Sequence, residues 1–510
     1  MARFVLFSED RLRLETMRAL WLATYTFLCM YLIGCYKLDV VYDAEPDHNY
    51  ELPLILKMNG KDCAFDADRN VLRFSLFNLQ GAKFEPFVEF QPYSSVKFEN
   101  VELTNHQIND LGVIEPYKPY ALRITTEQYV QNLTLIFTCF PIVQVITPNQ
   151  IMDEPKDLAR IRVHYPEFSE PSFTSYIGIE IRGASSQSLP KKSYGFTCKL
   201  SQNIKEEFAV SFFGRPKNYD WILDGMYNDH SRQRAGTSFE IWRSLDGANH
   251  YGTSSSLVEM YINNTHYGVY SFNEAVNSEM LGLTDFSARL YKAISWGNTE
   301  FYNYDYSFPY GNLWGGWEQK FPDSDLGIDW QPLVQLSWLV VEADSIQFVD
   351  EISGKLDIEN IIDYYLFLNL MSAYDNTGKN IFLTRRHGND PFKIVPWDLD
   401  ATWGLFWDGT AIGSTGVLTN GLFDRLIVLN HDGFRSKLKA RWVTLRGGVY
   451  SETNLRNVFQ EKFEMYYQSD LVSLENDIWG QNIDMESEQQ ELLGWIEDRL
   501  DFLDEYYASL

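Results

Sequence analysis

The sequence is short of histidine, cysteine and positive charge, and each shortage sets aside a class of function. Its eight histidines form no His-x-x-x-His pair, which argues against a zinc hydrolase site on a helix. The five cysteines, Cys29, Cys35, Cys63, Cys139 and Cys198, include no C-x-x-C spacing of the kind that zinc needs. Cys63 and Cys139 fall in one N-terminal unit and could pair in an oxidising compartment; three buried free thiols is the equal alternative. Lys and Arg number 43 against 70 Asp and Glu, a net charge of −27. Such a surface repels phosphate backbones, so nucleic acid is not an expected partner. Neither G-x-G-x-x-G nor G-x-x-x-x-G-K-[ST] occurs, which removes the common dinucleotide and P-loop signatures. There is no internal repeat and no low-complexity tract.

What is present is a chain rich enough in apolar side chains to bury a large core. Apolar residues make up 45% and aromatics 15% of 510 residues. That length suits two to four units at roughly 100–200 residues each. Arg18 precedes an apolar run from Ala19 to Gly34 that ends Leu32-Ile33-Gly34-Cys35. A positive flank, an apolar stretch and small residues before a cleavage point make a secretory signal over residues 1–35. The run is shorter than the roughly 20 apolar residues of a spanning helix. Its ending looks like a bacterial lipobox, with Cys35 as the lipidated first residue of an exported, membrane-anchored lipoprotein of the cell envelope. A plain signal anchor is the alternative, and Met17 is a second possible start.

Residues 36–50 are polar and acidic, as a tether should be. Over 51–140 short apolar or alternating runs, such as Val71–Leu76, Phe87–Phe90 and Leu133–Phe137, predict a small all-β, sandwich-like domain. Beyond Pro141 the pattern predicts strands at 142–147, 159–163, 177–182 and 193–199, then a helix over 229–247. A hairpin follows, Leu257–Asn263 and Tyr267–Phe272. Residues 300–325 read as an aperiodic aromatic loop. Helices are expected over 331–352 and 357–373, two short strands at 380–386 and 392–396, and several helices from 421 to 510. This order is α+β rather than a doubly wound sheet. The main domain is placed at 141–445, with a helical extension at 446–510.

Two stretches carry chemistry. In the first, Asp375-Asn376-Thr377-Gly378-Lys379-Asn380 precedes Pro396-Trp397-Asp398-Leu399-Asp400. Asp375 and Asn380 have the D-x-x-x-x-N spacing in which protein kinases use the Asp to accept the substrate hydroxyl proton and the Asn to hold metal. Asp398 is placed for the carboxylate that holds the nucleotide's metal. Magnesium takes such hard oxygen ligands together with phosphates. In an extended backbone Asp398 and Asp400 would face one side. The second stretch, Ile181-Arg182-Gly183-Ala184-Ser185-Ser186 through Leu189-Pro190-Lys191-Lys192-Ser193, is a small-residue turn between strands. Such a turn can offer backbone N–H groups to phosphate, with a lysine following.

Five segments, RGASSQSLPKKSYGF, DWILDGMYNDHSRQRAGTSFEIW, VEMYINNTHYGVYSFNEAV, AYDNTGKNIFL and FKIVPWDLDATWG, occur in the order found in the CotH family. The sequence resembles these spore-coat-like atypical kinases over roughly 141–445. The resemblance implies an atypical two-lobed kinase-like domain that uses ATP and Mg2+ to phosphorylate envelope or secreted proteins. It implies Ser185 and Ser186 in a phosphate-facing turn, and Lys191 or Lys192 as the phosphate lysine. Asp229 and Arg234 would open the helix behind the site, Glu240 on that helix would pair with the lysine, and Glu274 would lie at an adenine-contacting hinge. Asp375 becomes the catalytic base, Asn380 a metal ligand, Asp398 the principal metal ligand and Asp400 a possible second. Ala373-Tyr374 stands where typical kinases have His-Arg, and Leu399-Asp400 where they have Phe-Gly.

Two other readings stay open. One is a non-catalytic envelope or adhesion module that retains the fold. The other is a carbohydrate-active enzyme with paired acids, which fits poorly because its carboxylates must lie about 5–9.5 Å apart across a sugar ring.

Overall fold

The computed structural model describes residues 55–77, 81–166, 172–203, 205–245 and 250–510. The expected signal, Cys35 and the tether lie outside the described residues.

The first strands are short because turn residues interrupt them. They are β1 (Leu56–Met58), β2 (Lys61–Asp62), β3 (Ala64–Asp66), β4 (Val71–Ser75), β5 (Phe87–Phe90), β6 (Ser95–Phe98), β7 (Val101–Leu103), β8 (Gln107–Ile108), β9 (Tyr120–Thr125) and β10 (Val130–Thr138). They form a four-stranded sheet, β2-β1-β5-β8, and a six-stranded sheet, β3-β4-β10-β9-β6-β7. Side chains from both sheets, among them Met58, Val88, Leu72, Phe74 and Leu135, share one apolar core. The N-terminal region is therefore all-β, with period-2 alternation sending one face of each strand inward, as in β9. Cys63 and Cys198 are buried free thiols, so the Cys63–Cys139 pairing that the sequence allowed does not form.

Seven strands then close a barrel: β11 (Ile142–Ile146), β12 (Asp157–His164), β13 (Phe173–Arg182), β14 (Ser193–Lys199), β15 (Asp220–Asp224), β16 (Ser255–Ile262) and β17 (Thr265–Glu274). Closure removes exposed strand edges. It comes from β11 pairing parallel with β16, and β15 antiparallel with β17. A helix, α1 (Arg234–Ser244), leaves the barrel between β15 and β16. The 229–247 periodicity overreaches it because Asp229 organises residues 229–233 as a capping turn. Its carboxylate accepts the backbone N–H of Gln233 at 2.9 Å and of Arg234 at 2.8 Å, and the Arg234 guanidinium at 2.5 Å.

A second sheet, β19-β20-β18-β21-β22, uses β18 (Arg289–Ala293), β19 (Leu313–Trp314), β20 (Trp317–Phe321), β21 (Ile381–Arg385) and β22 (Lys393–Pro396). Part of the aromatic segment expected as a loop is thus the β19–β20 hairpin. Its Trp314 and Trp317 are buried. The helix expected over 331–352 is divided into α2 (Gln331–Val341) and α3 (Ser345–Glu351). The division falls at Asp344, whose carboxylate accepts the N–H groups of Ile346 and Gln347 and starts a new helix. The remaining helices are α4 (Ile358–Leu370), α5 (Gly421–Leu429), α6 (Phe434–Arg446), α7 (Glu452–Tyr467), α8 (Leu471–Trp479) and α9 (Met485–Ser509). They pack with the second sheet into the largest apolar cluster. Among the described residues no helix is long and apolar enough to cross a membrane.

Buried ion pairs join these parts. Arg73 on β4 reaches Glu259 on β16 at 3.4 Å and also contacts Asp470 at the start of α8.

Candidate functional site

A cleft of about 660 Å3 lies where the barrel end, α1 and the second sheet meet. Its wall includes the turn after β13, with Ser185 and Ser186, and the loops after α4 and β22, with Asp375, Asn380, Asp398 and Asp400. Six of the residues singled out in the sequence therefore converge, although up to 215 positions separate them.

The loop carrying Asp375 is pinned by its neighbour. Asn376 is buried, and its side-chain amide donates to the backbone carbonyls of Asn380 at 3.0 Å and Trp397 at 2.8 Å. One amide thus fixes the spacing between the Asp375 turn and the Asp398 segment, a role the sequence pattern did not reveal. Asn380 and Asp398 both adopt left-handed backbone, each with φ 56°. Non-glycine residues are uncommon there and concentrate at functional sites. Residues 397–400 are not a strand, so the backbone bend at Asp398, rather than strand alternation, directs Asp398 and Asp400 into one cleft. The segment is held from behind: the Trp403 indole N–H donates to the Ser238 hydroxyl on α1 at 2.8 Å.

Gly183 begins the opposite wall with φ +108°, and a Cβ there would stand 1.9 Å from the Ser186 hydroxyl oxygen. Only glycine permits this fold-over of a short 3-10 turn, Ser185–Ser188. The Gln187 amide ties the turn to the Gly183 carbonyl at 2.9 Å and the Asp153 carboxylate at 3.0 Å.

The charges in the cleft are not matched among themselves. Burial, then the Asp224 charge, push the Asp398 carboxyl above its ordinary value, while Arg182, Lys292 and Lys379 pull it back. Asp398 keeps solvent-accessible surface because the cleft opens to water, but the protein packed around it still weakens its hydration. Asp400 is pushed well above the ordinary range by burial and by Asp398 and Asp224. Burial also raises Asp375, against the pull of Lys379. Lys292 is shifted the other way, downward, by burial and by Arg182.

Four sequence-derived candidates lie elsewhere. Lys191 is buried, and its ammonium donates to both Glu475 oxygens at 2.7 and 2.9 Å and to the Val269 carbonyl at 2.6 Å. Lys192 donates to the Gln187 and Leu189 carbonyls, each at 2.6 Å, bracing the turn from behind. Glu274 is buried, accepts from the Ser254 N–H at 3.1 Å, and is not part of the cleft wall. Glu240, the suggested lysine partner, pairs instead with Lys462 at 2.8 Å. The cations that do line the cleft are Arg182, Lys292 and Lys379. Lys292 lies on β18, opposite Phe382 of β21. Nothing local in the sequence marks it, since β18 becomes part of this site only through sheet pairing.

This oxygen set suits a hard divalent cation. Asp398, Asp400 and Asn380 could ligate it, with Asp224 adding charge. Among the described residues no three His, Cys, Asp or Glu side chains close into a ready ligand shell. Two carboxylates and an amide match the partial protein shell that magnesium takes when phosphates and water supply the rest. The surplus of carboxylate charge is the feature such an ion would relieve.

The family model described as CotH kinase protein matches residues 179–503, more than half of the chain. The chain is also similar to inner spore coat protein H of Bacillus subtilis (strain 168), 25% identical over 247 residues, which cover 46% of this chain and 65% of that protein. It thus spans just under two thirds of that relative's length. The matched region opens inside β13, takes in both walls of the cleft and runs into α9. The chain belongs to the CotH kinase protein family.

Proposed function

We propose that the protein is an exported phosphotransferase that moves a phosphoryl group from Mg–ATP to hydroxyl groups of envelope or secreted proteins. In this reading the barrel and the helix-covered second sheet act as two kinase-like lobes with nucleotide between them. The observation that carries it is the convergence in one cleft of Asp375, Asn380, Asp398 and Asp400 opposite the Ser185–Ser186 turn.

Phosphoryl transfer asks mainly for positioning and charge neutralisation. Arg182 and Lys292 supply positive charge beside Asp398 and are the reading's phosphate contacts, in place of Lys191 and Lys192. Asn380, Asp398 and Asp400 would hold the metal, which when bound neutralises phosphate oxygens. Asp375, half-buried at the cleft wall, accepts the acceptor's hydroxyl proton. Its raised pKa makes it a better base than an exposed aspartate. The relative named for the inner spore coat supports a surface-associated setting, and lipid anchoring at Cys35 completes the proposed location.

Purified protein given labelled ATP and Mg2+ should label itself or a generic acceptor such as myelin basic protein. Asp398→Ala should abolish that labelling while Mg–ATP no longer raises its melting temperature. Labelling by the variant equal to that of wild type refutes the site. A wild-type protein that Mg–ATP neither melts higher nor is consumed by would instead be a non-catalytic module.

A further inference from the structure

A second cavity, of about 510 Å3, lies behind α1. Ala235 and Phe239 on one face of the helix line the catalytic cleft, whereas Gln233, Gly236, Glu240 and Arg243 on the other line this cavity. The helix therefore separates two pockets, as residues three to four apart share a face. The volume falls within the 300–1,000 Å3 typical of small-molecule sites.

Its polar groups are incompletely satisfied. Arg232 is buried and committed to Glu475 at 2.9 Å, and Lys462 is committed to Glu240 at 2.8 Å. Arg243 forms no ion pair among the described residues. Gln233 is 1% exposed, and neither its amide nitrogen nor its amide oxygen has a partner among the described residues. Leaving a buried amide unpaired is costly, so such groups ordinarily meet water or ligand. Met226 and Arg232, both in the wall, hold left-handed backbone at φ 51° and 56°. Such strain in non-glycine residues gathers where a site is being shaped. The opposite wall presents hydroxyls: Ser255 and Ser271 are hydrogen-bonded to each other at 2.6 Å. Ser271 then donates to the Asn273 side-chain carbonyl at 2.8 Å, and Asn273 lines the catalytic cleft.

We propose that this cavity is a second ligand site, taking a small oxyanionic molecule, a carboxylate or phosphate ester. Arg243 meets the anion, and Gln233 with the serine hydroxyls meets the adjoining polar groups. In a chain of net charge −27, a cation without an ion pair among the described residues, set beside hydroxyls and a buried amide, selects for anions of that kind. The assignment does not depend on the catalytic reading of the cleft.

The test is calorimetric titration of the full chain, without nucleotide or divalent metal, using inorganic phosphate in one arm and succinate in the other. Lys292→Met protein serves as background, to weaken anion binding in the cleft. Binding in either arm at millimolar concentration is expected, and the better anion tells which source the site prefers. Arg243→Ala should weaken it at least about tenfold, the loss of a charge-assisted hydrogen bond, and Arg243→Lys should restore part. Gln233→Leu should weaken it too while melting no lower than the parent. Arg243 is exposed, so its replacement leaves the fold intact. Unchanged affinity in Arg243→Ala, or no binding of either anion, overturns the assignment.

Discussion

Two ionic clusters on the two sides of the small-residue turn behave in opposite ways. Around Glu475 the charges are closed. That carboxylate accepts from Lys191, Arg232 and the Val269 backbone N–H at 2.6–2.9 Å. Burial disfavours its charge, but Lys191 and Arg232 outweigh that and hold it below the usual carboxylate range. Lys191 is pulled down to about 7 by burial, against the pull of Glu475, and the like charge of Arg232 beside it adds to the downward shift. Around Asp398 the charges are open: carboxylates crowd one another and their pKa values rise. A saturated cluster has no capacity left for phosphate, whereas an unsaturated one is stabilised by a ligand that brings the missing charge. The comparison teaches that proximity of a lysine to a phosphate-like turn is a weak guide, and that what else the lysine touches decides.

The strongest way to break this contrast is to open the closed cluster. Glu475→Gln should lower stability by about 3 kcal/mol in urea unfolding, because it strands two buried cations. An unchanged midpoint would mean that the cluster is not holding α8 against the barrel. Next, the lysines should separate. Lys292→Met should weaken Mg–ATP binding about tenfold with little change in the urea midpoint, and Lys191→Met should do the reverse. Equal loss of nucleotide affinity in both would merge the clusters into one site.

The smallest effect sharpens the open side. Asp400 has a folded-state pKa raised above its unfolded value, so its ionisation costs stability, and the cost is present above the raised pKa. It shrinks as pH falls toward the ordinary carboxylate value near 3.8, where both states take up the proton. Asp400→Asn should therefore melt about 2 °C higher than wild type at neutral pH without metal. The difference should vanish near pH 4. A variant that melts lower at neutral pH would show that the carboxylate is already compensated.

Much of the cleft was legible because its chemistry is local in sequence. Asp375 and Asn380 share one short loop, and Asp398 and Asp400 another, so spacing pointed to them and the family resemblance gave them roles. The lysine assignment was not legible. Strand alternation says which side a residue faces, not which partner it meets, and Glu475 lies 284 positions beyond Lys191. Lys292 and Asp224 were missed for the same reason, since each sits on an ordinary strand whose neighbours come from far along the chain. In the fold, apolar periodicity found the long helices, but β15, β18 and β20 escaped because short buried strands show no distinctive period.

By itself the sequence determined the acidic character, the α+β order of elements, the all-β start and the loops that present Asp375, Asn380, Asp398 and Asp400. Backbone preference and side-chain periodicity act over a few residues and can be read from them. Only the tertiary structure decided which cations face the cleft, which are locked into Glu475, that β16 and β17 close a barrel, and that α1 divides two pockets. Those outcomes follow from long-range pairing and burial, where the strength of a charge depends on neighbours that the chain order does not disclose.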